Sequence, residues 1–389
     1  NWLDNLKVRA SVGSLGNGNV SPYLYLSTIP IKKTSVILGD ALQTYATTPN
    51  IVPNSLTWEK STTYDIGLDV DILSNRLSMV FDYYQRYTTD MYTVGPTLPA
   101  VLGAATPKGN NAEMKTKGWE LSIMWRDNFI LANKPFNYSV KAMLWDSRTW
   151  VTKFNNPTKL LSTYYEGQEI GTIWGYHIEG LFKDQAEIDA HADQSKLKVS
   201  ATNILKPGDL KYIDQNGDNI IDEKDEIYLG ERYGWQGSPL TLGLNLTLKW
   251  KNFTLFAQGT GYFGGSAFAS GDYYWVFGDK KYSEVVRGRW TPGTSATATY
   301  PRLTTQTDNH NYRNSDFWLY STNQFKLSRL QLTYDLPQQW LRGSFVHSLS
   351  VYAYASNLLT ISKEREKLEL NTGTTPQSRY YNIGFKIGF

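Results

Sequence analysis

The sequence predicts an all-β protein, a transmembrane antiparallel β-barrel with long extracellular loops, and three observations predict it. Apolar and polar residues alternate with period two in segments of about ten residues, the length a tilted strand needs to cross a bilayer. The connections between those segments are alternately short and long. Aromatic residues make up 14% of the 389-residue chain, with 27 Tyr and 13 Trp, while mean hydropathy stays negative. Tyr and Trp concentrate where a membrane meets water, so the excess fits the same fold.

Taken in order, "LKVRASVG" at 6–13 opens the set. In "TYDIGLDVDI", Tyr64, Ile66, Leu68, Val70 and Ile72 share one face, opposite Asp65, Gly67, Asp69 and Asp71. "RLSMVFDYY" repeats the scheme with Leu77, Met79, Phe81 and Tyr83, "GWELSIMWR" with Trp119, Leu121, Ile123 and Trp125, and "FNYSVKAML" with Phe136, Tyr138, Val140 and Ala142. "PLTLGLNLTLKW" and "FTLFAQGTG" form a hairpin about Lys251 and Asn252; "NQFKLSRLQLTYDLP", "SLSVYAYASNLL" and "RYYNIGFKIGF" follow. That is about ten strands. Helical signals are confined to 184–193 and 280–290, with a turn at 337–343.

Short connections fall at 73–75, 127–135, 251–252 and 336–346, and long ones at 15–61, 88–116, 146–238, 262–321 and 360–378. A membrane barrel has short turns on one side and long external loops on the other. The alternative is a soluble or surface-attached carbohydrate-binding all-β protein, a sandwich or propeller whose loops carry the aromatics. The terminal strand favours the barrel. Tyr381, Ile383, Phe385, Ile387 and Phe389 share one face, an aggregation hazard at a free edge in water, whereas a closed barrel pairs the last strand with the first.

Thirty-nine basic and 36 acidic residues give a net charge of +3 without a dense basic run, which argues against nucleic acid as a partner. Cysteine is absent, removing disulfides and thiolate chemistry. The histidines at 177, 191, 310 and 347 lie at no metal-ligand spacing, and no G-x-S-x-G elbow is present, so catalysis is not expected. "GTGYFG" at 259–264 matches G-x-G-x-x-G but opens no helix, and its glycines are read as relaxing a strand into a loop.

Within the 146–238 connection, "DQNGDNIIDEKDE" follows the calcium-loop pattern of alternating oxygen ligands. Asp214, Asn216, Asp218, Ile220 (through its carbonyl), Asp222 and Asp225 occupy the ligand positions, while Asn219 stands where the pattern has Gly and Asp225 where it has Glu. No helices flank it, so a structural Ca²⁺ bracing a loop too polar to build its own core is expected, the other reading being a metal-free solvated turn. Loop aromatics Tyr233, Trp235, Tyr262, Phe263, Tyr273, Tyr274 and Trp275 are suited either to stacking on sugar rings or to packing loops together and against a partner.

Several motifs, in order, resemble the C-terminal part of a SusC-like TonB-dependent outer-membrane transporter of the Bacteroidetes type. They are "LKVRASVGSLGN", "LTWEKSTTYDIGLDVDILSNRLSMVFDYYQRYTTDM", "NNAEMKTKGWELSI", "IGTIWGYHIEGLF", "KPGDLKYIDQNGDNIIDEKDE", "YPRL", "FKLSRLQLTYDLP" and "ASNLLTIS". The resemblance implies a barrel of about 22 strands, of which residues 1–389 would be the C-terminal portion, supplying the last ten or so strands. An N-terminal plug, the TonB-coupling segment and the first strands would lie outside this chain, and "NWLDNLKV" carries neither an initiator Met nor an apolar leader. It also implies a SusD-like lipoprotein lid, TonB and outer-membrane lipid as partners, and import of oligosaccharides or peptides.

Overall fold

The computed structural model describes all residues except 1, 19, 21, 22, 24, 50, 53–55, 97, 100, 102, 104, 105, 198–203, 232–239, 281, 282, 306–309 and 372–374. Strand β1 (Leu3–Asn17) leads to a small hairpin, β2 (Ile31–Leu38) and β3 (Ala41–Ala46). Four long strands follow: β4 (Glu59–Ile72), β5 (Leu77–Val94), β6 (Lys108–Leu131) and β7 (Lys134–Lys153). The longest connection then holds β8 (Ile173–Gly175), β9 (Ile178–Leu181), α1 (Gln185–Ala190), β10 (Leu210–Tyr212) and β11 (Ile227–Gly230). After the hairpin of β12 (Leu240–Trp250) and β13 (Phe253–Phe263) come the short β14 (Ser266–Phe268) and β15 (Leu319–Ser321). The last elements are β16 (Gln324–Asp335), α2 (Gln338–Leu341), β17 (Ser348–Ile361), α3 (Arg365–Leu370) and β18 (Tyr380–Gly388).

Every strand expected from alternation is present, and together they form one antiparallel ten-stranded sheet in the order β1-β4-β5-β6-β7-β12-β13-β16-β17-β18. Successive pairing puts the long connections at one rim and the short turns at the other. The expected pairing of last strand with first is not made within this chain: among the described residues β1 pairs only with β4, and β18 only with β17. Nine interstrand steps of about 4.8 Å separate those edges by an arc of roughly 43 Å, and the sheet is an open section of barrel wall.

Register aligns the apolar residues across the whole wall. Val8, Leu68, Phe81, Leu121, Leu144 and Leu242 form one row, and Val140, Leu246, Ala257, Leu330, Ala355 and Tyr381 another. Among the described residues this face is left exposed at both ends of the sheet: Val8 is 69% exposed and Ile383 81%. A continuous apolar outer face is what lipid requires of a barrel wall. Toward the short-turn rim it ends in aromatics, with the Phe129 and Phe136 rings 5.0 Å apart and Phe253 and Tyr334 4.7 Å apart. These have the position of an interfacial girdle.

The turns follow from residues that accept left-handed backbone. Leu73, Ser74 and Asn75 all have positive φ, as do Ala132, Asn133 and Lys251. The connection expected over 127–135 is only Ala132 and Asn133, because β6 continues to Leu131 and β7 resumes at Lys134 around the Phe129–Phe136 pair. Both residues having φ near 55° is the two-residue hairpin geometry that matches strand twist. The helix expected near 184–193 is α1, capped by Asp184, which accepts from Glu187 N at 3.0 Å. At 280–290 only a 3-10 turn forms, Glu284–Gly288, where adjacent Val285 and Val286 disfavour helix.

The buried core lies outside the sheet. Tyr176, Leu197, Leu210, Tyr212 and Ile221 form one cluster, and Ala269, Val276, Val286, Tyr300 and Trp318 a second, with Phe317 packed against both. The 146–238 segment was expected to be too polar for a core; it builds one because widely spaced apolar residues converge and the loop between β13 and β16 adds its own. If the apolar face contacts lipid, Leu121→Arg, at the middle of a row, will destabilise the protein refolded in bilayers by about 2–4 kcal/mol, read from denaturant titration in vesicles.

Candidate functional site

The two longest loops are locked together where "KPGDLKYID" meets "YPRL". Asp209 is fully buried. Its carboxylate is paired with the Arg302 guanidinium, whose Nε lies 2.7 Å away, and accepts hydrogen bonds from Arg302 Nη2 at 3.0 Å, from Asn311 Nδ2 at 2.9 Å and from Lys206 N at 2.9 Å. Asn311 Oδ1 in turn accepts from Leu210 N at 2.7 Å, and the Asn311 carbonyl from Trp318 Nε1 at 2.8 Å. Gly208 (φ 88°) lets the backbone pass against Trp290, where a Cβ would collide. A second junction pairs His177 Nδ1 with Asp316, whose other oxygen accepts from Ile178 N at 3.1 Å. All of this forms a cross-linked cap at the long-loop rim.

The 214–225 loop belongs to that cap. Asn219, standing where the pattern has Gly, has φ 60°, a left-handed conformation that Asn tolerates. Asp214 accepts from Gly217 N at 2.7 Å and Asn219 N at 2.8 Å, Asn216 Oδ1 from Asp218 N at 2.8 Å, and Asp218 Oδ1 from Ile220 N at 2.9 Å. Asp222 accepts from Lys224 N at 2.9 Å. Asp225 is fully buried and accepts from Gln215 N at 2.9 Å and Asp222 N at 2.8 Å, closing a capping box. The six expected calcium ligands thus share one loop, but the side-chain oxygens of Asp214, Asn216, Asp218, Asp222 and Asp225 turn onto its own N–H groups. Among the described residues no group of three or more His, Asp or Glu side chains is arranged to hold a metal ion. Partial desolvation opposes ionisation of Asp214, yet the backbone N–H groups of Gly217, Asn219, Asn216 and Asp218 outweigh it and lower its pKa.

Of the aromatics expected to meet substrate, Tyr233 and Trp235 lie outside the described residues. Tyr273, Tyr274 and Trp275 are half-buried. Tyr274 and Trp275 pack against the second core cluster, Trp275 lying 6.0 Å from the Tyr312 ring and 6.3 Å from Trp318. The packing of loops is therefore what the structure displays for them. The strand face of Tyr381, Ile383, Phe385, Ile387 and Phe389 is exposed, and Phe389 stacks on Phe345 of the β16–β17 connection with ring centroids 5.6 Å apart. In "GTGYFG", Gly259 and Gly261 remain inside β13, and Gly259 leaves room for the Phe325 ring to lie across the strand.

Opposite the apolar face is a polar inner face. Near one edge Arg9 bridges Asp69 and Asp82, 2.8 Å from each. Lys141, Asn245, Gln258, Arg329, Ser356 and Tyr380 form a transverse row across the other strands. Sequence reasoning picked out none of these as a set; strand parity together with hairpin register is the signal that finds them.

Residues 1–259 match the family described as "TonB dependent receptor-like, beta-barrel". The chain is 25% identical to TonB-dependent receptor P3 of Formosa agariphila and 23% identical to TonB-dependent receptor SusC of Bacteroides thetaiotaomicron, each match covering 100% of this chain but 40% and 38% of the relative. Among solved structures it resembles the RagAB peptide transporter, with a TM-score of 0.74 at 22% identity, over 100% of this chain and 41% of that one.

Asp209→Ala will strand the Arg302 charge and cost about 3–5 kcal/mol of loop-cap stability, read as a lower melting temperature and faster proteolysis between β7 and β16. Asp225→Ala will cost about 1–3 kcal/mol by leaving the part-buried N–H groups of Gln215 and Asp222 without an acceptor. A hydrogen-bonded brace gives equal losses in calcium and in chelator; a larger loss in calcium alone would demonstrate a bound ion. Because the pKa of Asp214 is lowered on folding, its contribution is present above the ordinary value of 3.8 and lost as pH falls through the lower folded value. Acid unfolding of the cap followed by Trp fluorescence will therefore shift to higher pH in Asp214→Asn.

Proposed function

This chain belongs to the TonB-dependent receptor-like β-barrel family, and from that premise we propose that it forms wall and mouth of an outer-membrane importer for oligosaccharides or peptides. The observation that carries the proposal is the wall itself: one face apolar in unbroken rows, the other polar, with a separately cored loop cap at a single rim. Such a wall separates lipid from an aqueous path, and its cap stands where cargo would enter.

The chain spans about 40% of the length of the relatives it matches. In this proposal the remaining strands and a plug complete the barrel, TonB supplies energy through that remainder, and a SusD-like lipoprotein covers the mouth. The partial barrel, the family and the relative named SusC support this arrangement. Transport needs binding and passage, with no covalent step, and we assign no catalytic residue.

The protein will be recovered from outer membranes only with detergent. Deleting it will abolish growth on the nutrient it imports, and collapsing the proton gradient will halt uptake in cells that carry it. Recovery as a water-soluble monomer, or uptake indifferent to both treatments, overturns the proposal. Purification of the intact complex will yield a lipoprotein partner of lid type.

A further inference from the structure

We propose that the inner face of β7, β12, β13, β16, β17 and β18 is a track for carboxylate-bearing oligomers. This rests on the import reading and names the chemistry of the cargo. Parity and register place Lys141, Lys249, Lys326, Arg329 and Lys386 on that face, and the carboxylate these strands add to it is that of Asp335. Among the described residues, none of the five cations has a carboxylate within 4.0 Å. The other strands are close to balance: Arg9 is shared by Asp69 and Asp82, and Lys7, Arg86 and Arg126 stand among Asp65, Asp71 and Glu120. Lys326 feels the charge of Glu369 beyond that distance, and the charge left over on the inner wall is positive and confined to one side.

The transverse row fixes where it acts. Arg329 lies 4.3 Å over the Tyr354 ring and donates to Gln331 Oε1 at 2.6 Å, while its Nε–H meets no acceptor. A guanidinium held by these contacts keeps its charge in one place with little ordering left to do. Asn245 and Gln258 stand between it and Lys141, offering amide donors along the same line. Three strand intervals, roughly 14 Å, separate Lys141 from Arg329. A small anion does not bridge that distance; an extended peptide of about four residues, or a short acidic saccharide, does. Lys326, nearer the cap, and Lys249 and Lys386, nearer the short-turn rim, continue the positive potential along the path, as basic linings do in anion-selective pores.

The experiment uses the full-length protein purified with its native partners. The probes are a peptide of alternating Glu and Gly, the same peptide with Gln for Glu, an oligogalacturonate, and a neutral maltooligosaccharide. Wild type is expected to bind one or both acidic probes more tightly than their neutral counterparts, which of them distinguishing peptide from saccharide cargo. Lys141→Gln with Arg329→Gln will weaken acidic-probe binding roughly tenfold per cation and flatten its salt dependence. The charge-retaining pair Lys141→Arg and Arg329→Lys will keep most of the affinity, which separates charge loss from misfolding. Equal binding of acidic and neutral probes overturns the inference, as does wild-type affinity in the Gln double variant; the cations then serve an acidic segment of the remaining chain. Failure of import itself shows separately, as growth and uptake that are unchanged when the protein is deleted.

Discussion

In hydrocarbon no water is available to an unpaired backbone group, so every N–H and C=O of a membrane-spanning strand must find its partner on a neighbouring strand. The rest of this structure depends on that constraint. It makes each of the ten strands antiparallel to its chain neighbour and sends side chains alternately to lipid and to the interior. It also forces irregular chain to the two rims. Register must then hold across the whole sheet, since a slip of one residue would turn the Val8–Leu242 row inward and Arg9, Asp69 and Lys141 toward lipid.

The two rims solve their ends differently. At the short-turn rim, single left-handed residues such as Lys251 and the pair Ala132 and Asn133 reverse the chain in minimal length. At the other rim the loops are so long that they must pay their ordering entropy with a core of their own. That core is built from aromatics and a buried Asp209–Arg302 pair, and it resembles the interior of a small soluble domain more than anything in the sheet. The molecule thus carries two kinds of burial, one completed by lipid and the other internal.

The strands were legible in the sequence because alternation is local: five or six residues suffice to show it. Their full lengths were not, since β6 and β7 gain residues only by pairing with each other beyond the region of clear alternation. The cap was illegible for the opposite reason. Asp209 and Asn311 meet across 102 positions of chain, and Tyr176 and Tyr212 look polar in context until their rings come together 5.2 Å apart. In the 214–225 loop the spacing was read as that of calcium ligands, but spacing alone does not say whether carboxylates face an ion or their own backbone. Asp225 faces the backbone. The inner cations needed register as well as parity, because residues from six strands meet there.

The contrast between the rims bears on how such a protein changes over generations. The tight turns at 73–76, 132–133 and 251–252 leave no room for inserted chain, since an added residue there would shift two strands against all the rest. A change of length in the long loops leaves the ladders of the ten-stranded sheet untouched. Change in length is thereby channelled to the capped rim, and the ten-stranded wall can keep its register unaltered.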